Sequence, residues 1–261
     1  MVNLGNASAP TFVTTWNLTS VAGVNSTDVS SVSVKDGILA AAVINGNKSL
    51  SGAVVFLEPA TGNVIDTVSV GSVPDHIAFT PDGSKLLVCN EGELDAAGND
   101  PQGSVSIIDL ANSTVQTANF TSFDGTEATL RSQNVRIFAN RSVSTDVEPE
   151  YLAINAAGTQ ALVTLQEANA VAVLDIATAT FTEIVPLGLK DYSTMLTDLS
   201  DRDNALGDGP LIKFETGNPA FGQFMPDAIA SFQAATRPTT SSPTKGMTAM
   251  TSSPPPPRRS H

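Results

Sequence analysis

Cysteine and histidine are almost missing from this chain: Cys89 stands alone, and His76 and His261 are the only imidazoles in 261 residues. A single thiol excludes an internal disulfide framework. Two distant histidines exclude a zinc-binding His cluster and a metalloprotease helix, and leave little for a Ser-His-Asp triad. The Gly-x-Ser-x-Gly elbow, the Walker loop and the dinucleotide fingerprint are absent too. Aromatic residues make up only 5% of the chain. No run approaches the roughly 18 consecutive apolar residues of a membrane-spanning helix. Basic residues are scarce, 13 against 26 acids, giving a formal charge of −13. That balance disfavours nucleic acid and anionic lipid, and makes cations or basic partners the natural counterparts. Residues 1–20 have neither the basic start nor the apolar core of a signal peptide. Either the protein is cytosolic or its true beginning lies upstream, and the second reading is the one favoured here.

What is present is a repeat. Pro74-Asp75-His76-Ile77-Ala78, Pro149-Glu150-Tyr151-Leu152-Ala153 and Pro226-Asp227-Ala228-Ile229-Ala230 share one pattern. The first two copies continue in parallel through a turn (Thr80–Gly83, Asn155–Gly158), a second apolar run (Leu86–Val88, Ala161–Val163) and a third (Ser104–Leu110, Ala170–Ile176). An earlier unit runs through Val29–Val34, Ile38–Val43, Ala53–Leu57 and Val64–Val70 with turns at Lys35-Asp36-Gly37 and Pro59–Gly62. Four short strands per unit, joined by turn residues, predict propeller blades that need their neighbours to bury both faces. The fold expected is all-β: a β-propeller of YVTN/WD40-like four-stranded blades, incomplete at both ends. Residues 1–27 read as a lead-in left from a missing blade, 28–233 as a partial propeller and 234–261 as a low-complexity disordered tail. From Arg237 onward the tail has four basic residues, no acid and a Pro254–Pro257 run, with too little apolar surface to offset chain entropy. It reads either as a partner-binding tail or as a truncated or misread end, the second fitting better. The 120–147 segment is expected as an extended excursion or as part of another blade.

These phrases resemble the choice-of-anchor I family of secreted and surface β-propeller proteins, which includes mesenchyme-specific cell surface glycoproteins. The resemblance is carried by Ser31–Gly37, Val73–Asp75, Leu86–Glu93, Asp100–Leu110, Val135–Phe138, Glu148–Ala153, Leu165–Ala170, Pro186–Asp191, Ser200–Asp203 and Pro226–Ala230, in order along residues 20–233. It implies a ring of about seven blades, usually exported and often joined to anchors or phytase-like esterase domains. Against that pattern the opening and closing blades are missing, and His76 and Cys89 replace small or apolar residues.

Candidate sites follow from the repeat. The first strand of every propeller blade lines the central channel, so Asp75, Glu150 and Asp227 are expected around one axis. Converging carboxylates raise one another's pKa unless a cation or solvent separates them, and hard oxygen donors suit Ca²⁺ or Mg²⁺. The other reading is that each acid caps a turn. Glu91 and Glu93, with Asp95 and Asp100, crowd an insertion at 91–103. Asp201 and Asp203, with Asp198 and Asp208, crowd a later loop. Neither group has EF-hand spacing, and each reads more readily as a solvated acidic loop. His76 and Cys89 read as structural. Asn6, Asn17, Asn25, Asn47, Asn112, Asn119 and Asn140 open Asn-x-Ser/Thr glycosylation triplets, which a chain rich in Ser, Thr and Asn also produces by chance. The expected function is a non-enzymatic extracellular or cell-surface scaffold that binds a protein, glycan or matrix partner on its loop face, with Ca²⁺ at the channel as the candidate ion. The alternative is a calcium-dependent phosphoesterase, for which Lys190, Arg202 and Arg136 are the only cationic applicants. Open sheet edges are expected to make the isolated chain prone to aggregation.

Overall fold

The computed structural model describes residues 2–3, 5–18, 23–25, 28–200 and 211–232. A small ribbon pairs β1 (Val2–Asn3) with β2 (Thr11–Phe12). The first blade follows as β3 (Val29–Lys35), β4 (Ile38–Val43), β5 (Ser51–Leu57) and β6 (Val64–Ser72). The second is β7 (Pro74–Phe79), β8 (Lys85–Asn90), β9 (Ser104–Asp109) and β10 (Thr114–Asn119). A 3₁₀ turn (Thr121–Phe123) and two short helices, α1 (Glu127–Ser132) and α2 (Val143–Asp146), then precede the third blade: β11 (Pro149–Ile154), β12 (Gln160–Leu165), β13 (Ala170–Asp175) and β14 (Thr180–Pro186). A last short ribbon pairs β15 (Lys190–Asp191) with β16 (Phe221–Gly222).

Each blade is an antiparallel meander in which sheet order equals chain order. The inner strands lie side by side, β3 against β7 and β7 against β11, as blades fanned from a common axis require. Strands inside such a fan are covered on both faces, which explains why Leu86-Leu87-Val88-Cys89 is buried without alternation. Leu86 and Val88 face the first blade with Ala40, Val54, Phe56 and Ile108. Leu87 and Cys89 face the third with Val105, Ile107, Val163 and Leu165. The fold is a β-propeller.

The 120–148 segment belongs to no blade. Phe120, Leu130, Val135, Ile137, Val143 and Val147 close over the wedge between the second and third blades. The ring of Phe120 stacks on Phe181 of β14 at 3.9 Å and 15°.

The two ends of the strands differ. At one end the connections are tight: Asp36 and Gly37, at φ of 48° and 80°, form a two-residue hairpin whose backbone needs positive φ at both positions. The matching turns at Thr80–Gly83 and Asn155–Gly158 close with 2.9 Å backbone bonds from Gly83 to Thr80 and from Gly158 to Asn155. Every long connection leaves from the other end, between second and third strands and between successive blades. This loop face includes the starts of β7 and β11.

Candidate functional site

The repeat phrase is where the inner strand leaves its register. β7 shifts against β8 between Pro74 and Ile77, and β11 shifts against β12 between Pro149 and Leu152. β3 shifts at the corresponding place, between Val29 and Ser31. A bulge inserts one residue and re-aims the side chains beside it. Asp75 and Glu150 fall inside these bulges, at the loop-face end of their strands.

Val73, before the first phrase, sits at φ 48° although it is β-branched, and Met225, before the third, sits at φ 47°. A β-branched residue there is an outlier costing about 1–3 kcal/mol. It is held because Val73 is buried and its carbonyl accepts the Glu91 N–H at 2.9 Å. That bond joins the start of the 91–103 insertion to the base of β7.

The acids at this end act on one another. Burial pushes Glu150 up to about 8, helped by the charges of Glu167, Glu91, Asp227 and Asp75. Burial raises Glu91 to about 7, with Asp75, Glu93 and Glu148 adding repulsion and Lys48 opposing it. Asp75 is raised by burial and by Asp227. Glu148 is raised by burial, then by Glu167, Glu93 and Asp146. Beneath them the buried Cys89 thiol is pushed up by burial and by Asp75, Glu91 and Glu150. His76 fills the seam between inner strands: its ring stacks on Tyr151 at 3.5 Å, and Nδ1 accepts the Leu152 N–H at 3.4 Å. Burial holds the imidazole neutral, with a pKa lowered to about 4.

Asp75, Glu150, Asp227 and Glu91 thus lie near enough to influence one another's charge. The third phrase forms no ladder. It is placed by bonds from Gln166 Nε2 to Asp227 (3.4 Å) and from Ser231 Oγ to the Ile154 carbonyl (2.6 Å). Other acids of the insertion tie it to neighbouring connections or brace it from within. Glu93 pairs with Lys48, Asp100 with Arg141, and Asp95 accepts N–H bonds from Ala97 and Asn99. Asp198 accepts the Lys213 N–H at 3.1 Å. Asp201, Asp203, Asp208, Arg202 and the 234–261 tail lie outside the described residues. Among the described residues no three His, Cys, Asp or Glu are grouped closely enough to hold a metal ion. The carboxylates therefore fit calcium in donor type and not in spacing.

The seven glycosylation triplets are solvent-exposed at their Asn residues. At Asn6, Asn47, Asn112 and Asn119 the side-chain oxygen accepts the N–H two residues on, at 3.0–3.1 Å.

Three participants were not singled out from the sequence. Glu148 and Glu167 join the acidic group from connections that the repeat does not cover. Asn169, fully buried at φ 54°, ties three segments together. Its Nδ2 donates to the Asn134 and Gly188 carbonyls at 3.3 and 2.8 Å, and Oδ1 accepts the Phe224 N–H at 2.8 Å. The signal available was an Asn at a positive-φ position between two strands. Around this hub lies an open cleft of about 620 Å³ lined by Arg131, Arg136, Leu189, Phe221, Gln223 and Met225.

A family model described as Choice-of-anchor I domain matches residues 1–238. No curated protein matches the chain. Among solved structures, the Kuenenia stuttgartiensis hydrazine synthase is similar at 13% identity and TM-score 0.41, over 75% of this chain and 49% of that one. The Myceliophteria thermophila Cps50 (Swd1) β-propeller domain is similar at 10% identity and TM-score 0.40, over 62% and 44%. The β-propeller domain of the Pyrococcus furiosus Trilobed protease is similar at 11% identity and TM-score 0.37, over 62% and 44%. The chain spans less than half the length of each of these.

Proposed function

The chain belongs to the choice-of-anchor I family, and from that premise we propose that it is a non-enzymatic extracellular or cell-surface scaffold whose loop face binds a protein, glycan or matrix partner. One observation carries the reading: the long connections all leave one face and expose large apolar side chains there. Leu50, Leu94, Phe138, Leu189 and Phe221 are 54%, 43%, 56%, 37% and 66% exposed. Exposed apolar side chains carried on these connections supply contact area for a partner. Seven exposed glycan acceptors accord with export.

The acidic group at the channel end is the place where chemistry would otherwise be sought, because strongly perturbed carboxyls often mark active sites. The phosphoesterase alternative needs cations beside those acids. Lys190 Nζ lies over the Phe224 ring at 5.0 Å, and the Arg136 guanidinium lies over Phe138 at 4.5 Å. Both are thus oriented by aromatic rings. Calcium at the channel is the finer part of the proposal and rests on charge alone, and no step of the binding function runs through it.

The test is a panel of extracellular glycans and matrix proteins probed with the chain, alongside a p-nitrophenyl phosphate assay with Ca²⁺. Binding lost in Leu94→Asp and Phe138→Asp but kept in Asp36→Asn on the opposite face supports the scaffold. Calcium-dependent turnover abolished by Asp75→Ala overturns it.

A further inference from the structure

The cleft around Asn169 carries charge of the sign that is scarce in this protein, 13 basic residues against 26 acidic ones. Two of the three arginines among the described residues, Arg131 and Arg136, line it, and none of its lining residues is acidic. Arg141, the third, is paired with Asp100. Neither cleft guanidinium has a carboxylate within ion-pair range among the described residues. Glu127 and Glu148 feel Arg131 and Arg136 only through space.

Both guanidiniums are held in place by neutral groups. Arg131 Nη1 donates to the Ile137 and Phe138 carbonyls at 3.4 and 3.5 Å. Arg136 donates from Nε to the Glu167 carbonyl, and its guanidinium lies over the Phe138 ring at 4.5 Å. Carbonyls and a ring face orient a guanidinium without neutralising it, leaving its positive charge for a ligand. The cleft backbone is equally fixed. Asn169 anchors the 134, 188 and 224 segments, and the Arg136 N–H bonds to the Ala168 carbonyl at 2.9 Å.

We infer that this cleft binds a short acidic saccharide, its carboxylate or sulfate held by Arg131 and Arg136 and its apolar ring face lying on Phe221, Leu189 and Met225. The inference rests on the scaffold reading, and names a ligand class for one part of the loop face. The volume lies in the ordinary range for small-ligand clefts. A lining that combines two cations with Leu189, Phe221 and Met225 fits a ligand with one charged edge and one carbon-hydrogen face, and Gln223 supplies an amide for a hydroxyl. The ligand is short because a net charge of −13 repels a long polyanion beyond the cleft.

The experiment is titration calorimetry of the whole chain with digalacturonic acid, a monosulfated disaccharide, a neutral disaccharide and inorganic phosphate. Binding of one or both acidic sugars, at least tenfold tighter than the neutral sugar or phosphate, is expected. Arg136→Gln and Arg131→Gln should each weaken it about tenfold, as expected for a lost charged hydrogen bond. Arg136→Lys should recover part of the loss, and Asp36→Asn should leave affinity unchanged. Melting curves establish that each variant is folded, and Arg131, being exposed, serves if Arg136→Gln is not. Equal binding of phosphate and acidic sugars overturns the saccharide assignment, and indifference to both arginine substitutions overturns the site. If no sugar binds while the matrix and glycan panel still gives loop-face binding, the inference fails and the scaffold stands. Calcium-dependent phosphatase turnover removes the scaffold whatever the cleft binds.

Discussion

Replacing Glu150 by Gln removes a charge that the folded protein resists carrying. Four carboxylates bear on it, Glu167, Glu91, Asp227 and Asp75, and burial is the largest influence of all. Its pKa rises from 4.5 to about 8, so the folded state keeps a proton that the unfolded chain gives up near 4.5. Stability from this group is therefore fully present below pH 4.5 and is lost as pH rises through 8. At about 1.4 kcal/mol per pH unit the interval corresponds to just under ~5 kcal/mol. The carboxyl retains solvent, and screening reduces this to about 2 kcal/mol. Gln keeps the shape and cannot ionise. Glu150→Gln should match the parent near pH 4.5 and exceed it by about 2 kcal/mol at pH 9, or about 4–8 °C in Tm for a chain of this size. Thermal melts at fixed ionic strength between pH 4.5 and 9 measure the difference. Two Tm curves running parallel across that range, or a variant less stable at pH 9, would refute the convergence of these acids.

His76 controls the opposite limb. Its pKa is lowered from 6.5 to about 4, so its contribution is complete above pH 6.5 and is lost as pH falls toward 4. His76→Phe should keep the stack on Tyr151, flatten the acid limb of the Tm profile, and cost about 1 kcal/mol at neutral pH for the Leu152 N–H left without its acceptor. Phe120→Ala should destabilise by about 3–5 kcal/mol, measured by urea unfolding, because the ring is fully buried against Phe181; a cost below 1 kcal/mol would show that the 120–148 segment is not part of the core. Calcium in the millimolar range should raise the parent Tm more at pH 9 than at pH 5, and more than NaCl at equal ionic strength, with the excess absent in Asp75→Asn/Glu150→Gln. Equal effects of the two salts would end the calcium proposal.

The blades were legible because the residues that make them recur. Pro-acid phrases mark a bulge, and a bulge repeats wherever the inner strand meets the loop face. Turn residues at Thr80–Gly83 and Asn155–Gly158 likewise repeat because both turns close the same way. The third phrase was legible as a location and not as a strand: Pro226–Ala230 lies beside β11 without forming a ladder. The helices in the 120–148 segment were not visible, since six and four residues are too few for a helical period and lie below the length at which a helix holds itself. They exist because Leu130 and Val143 are buried against the blades. Glu148, Glu167 and Asn169 escaped for a related reason. They stand in connections whose length and sequence differ from blade to blade, and the partners of Asn169 are distant in sequence: Asn134 and Phe224 meet at it across 35 and 55 positions.

Glu167 shows why the two charged regions belong to one design. Its carbonyl accepts the Arg136 Nε bond that orients the cleft, while its carboxylate is the leading charge that raises Glu150. One carboxylate oxygen, Oε2, is buried without a hydrogen-bond partner among the described residues, a costly arrangement for an acceptor. Had its carboxylate turned onto Arg136, the guanidinium would be neutralised and the cleft would lose half its positive charge. Binding the arginine through the backbone instead directs the acid toward the channel and leaves the cation exposed to the cleft. A single residue thereby separates negative from positive charge over the width of one loop, and the Ala168–Asn169 backbone beside it, bonded to Arg136 and to Leu187, keeps the two from collapsing onto each other.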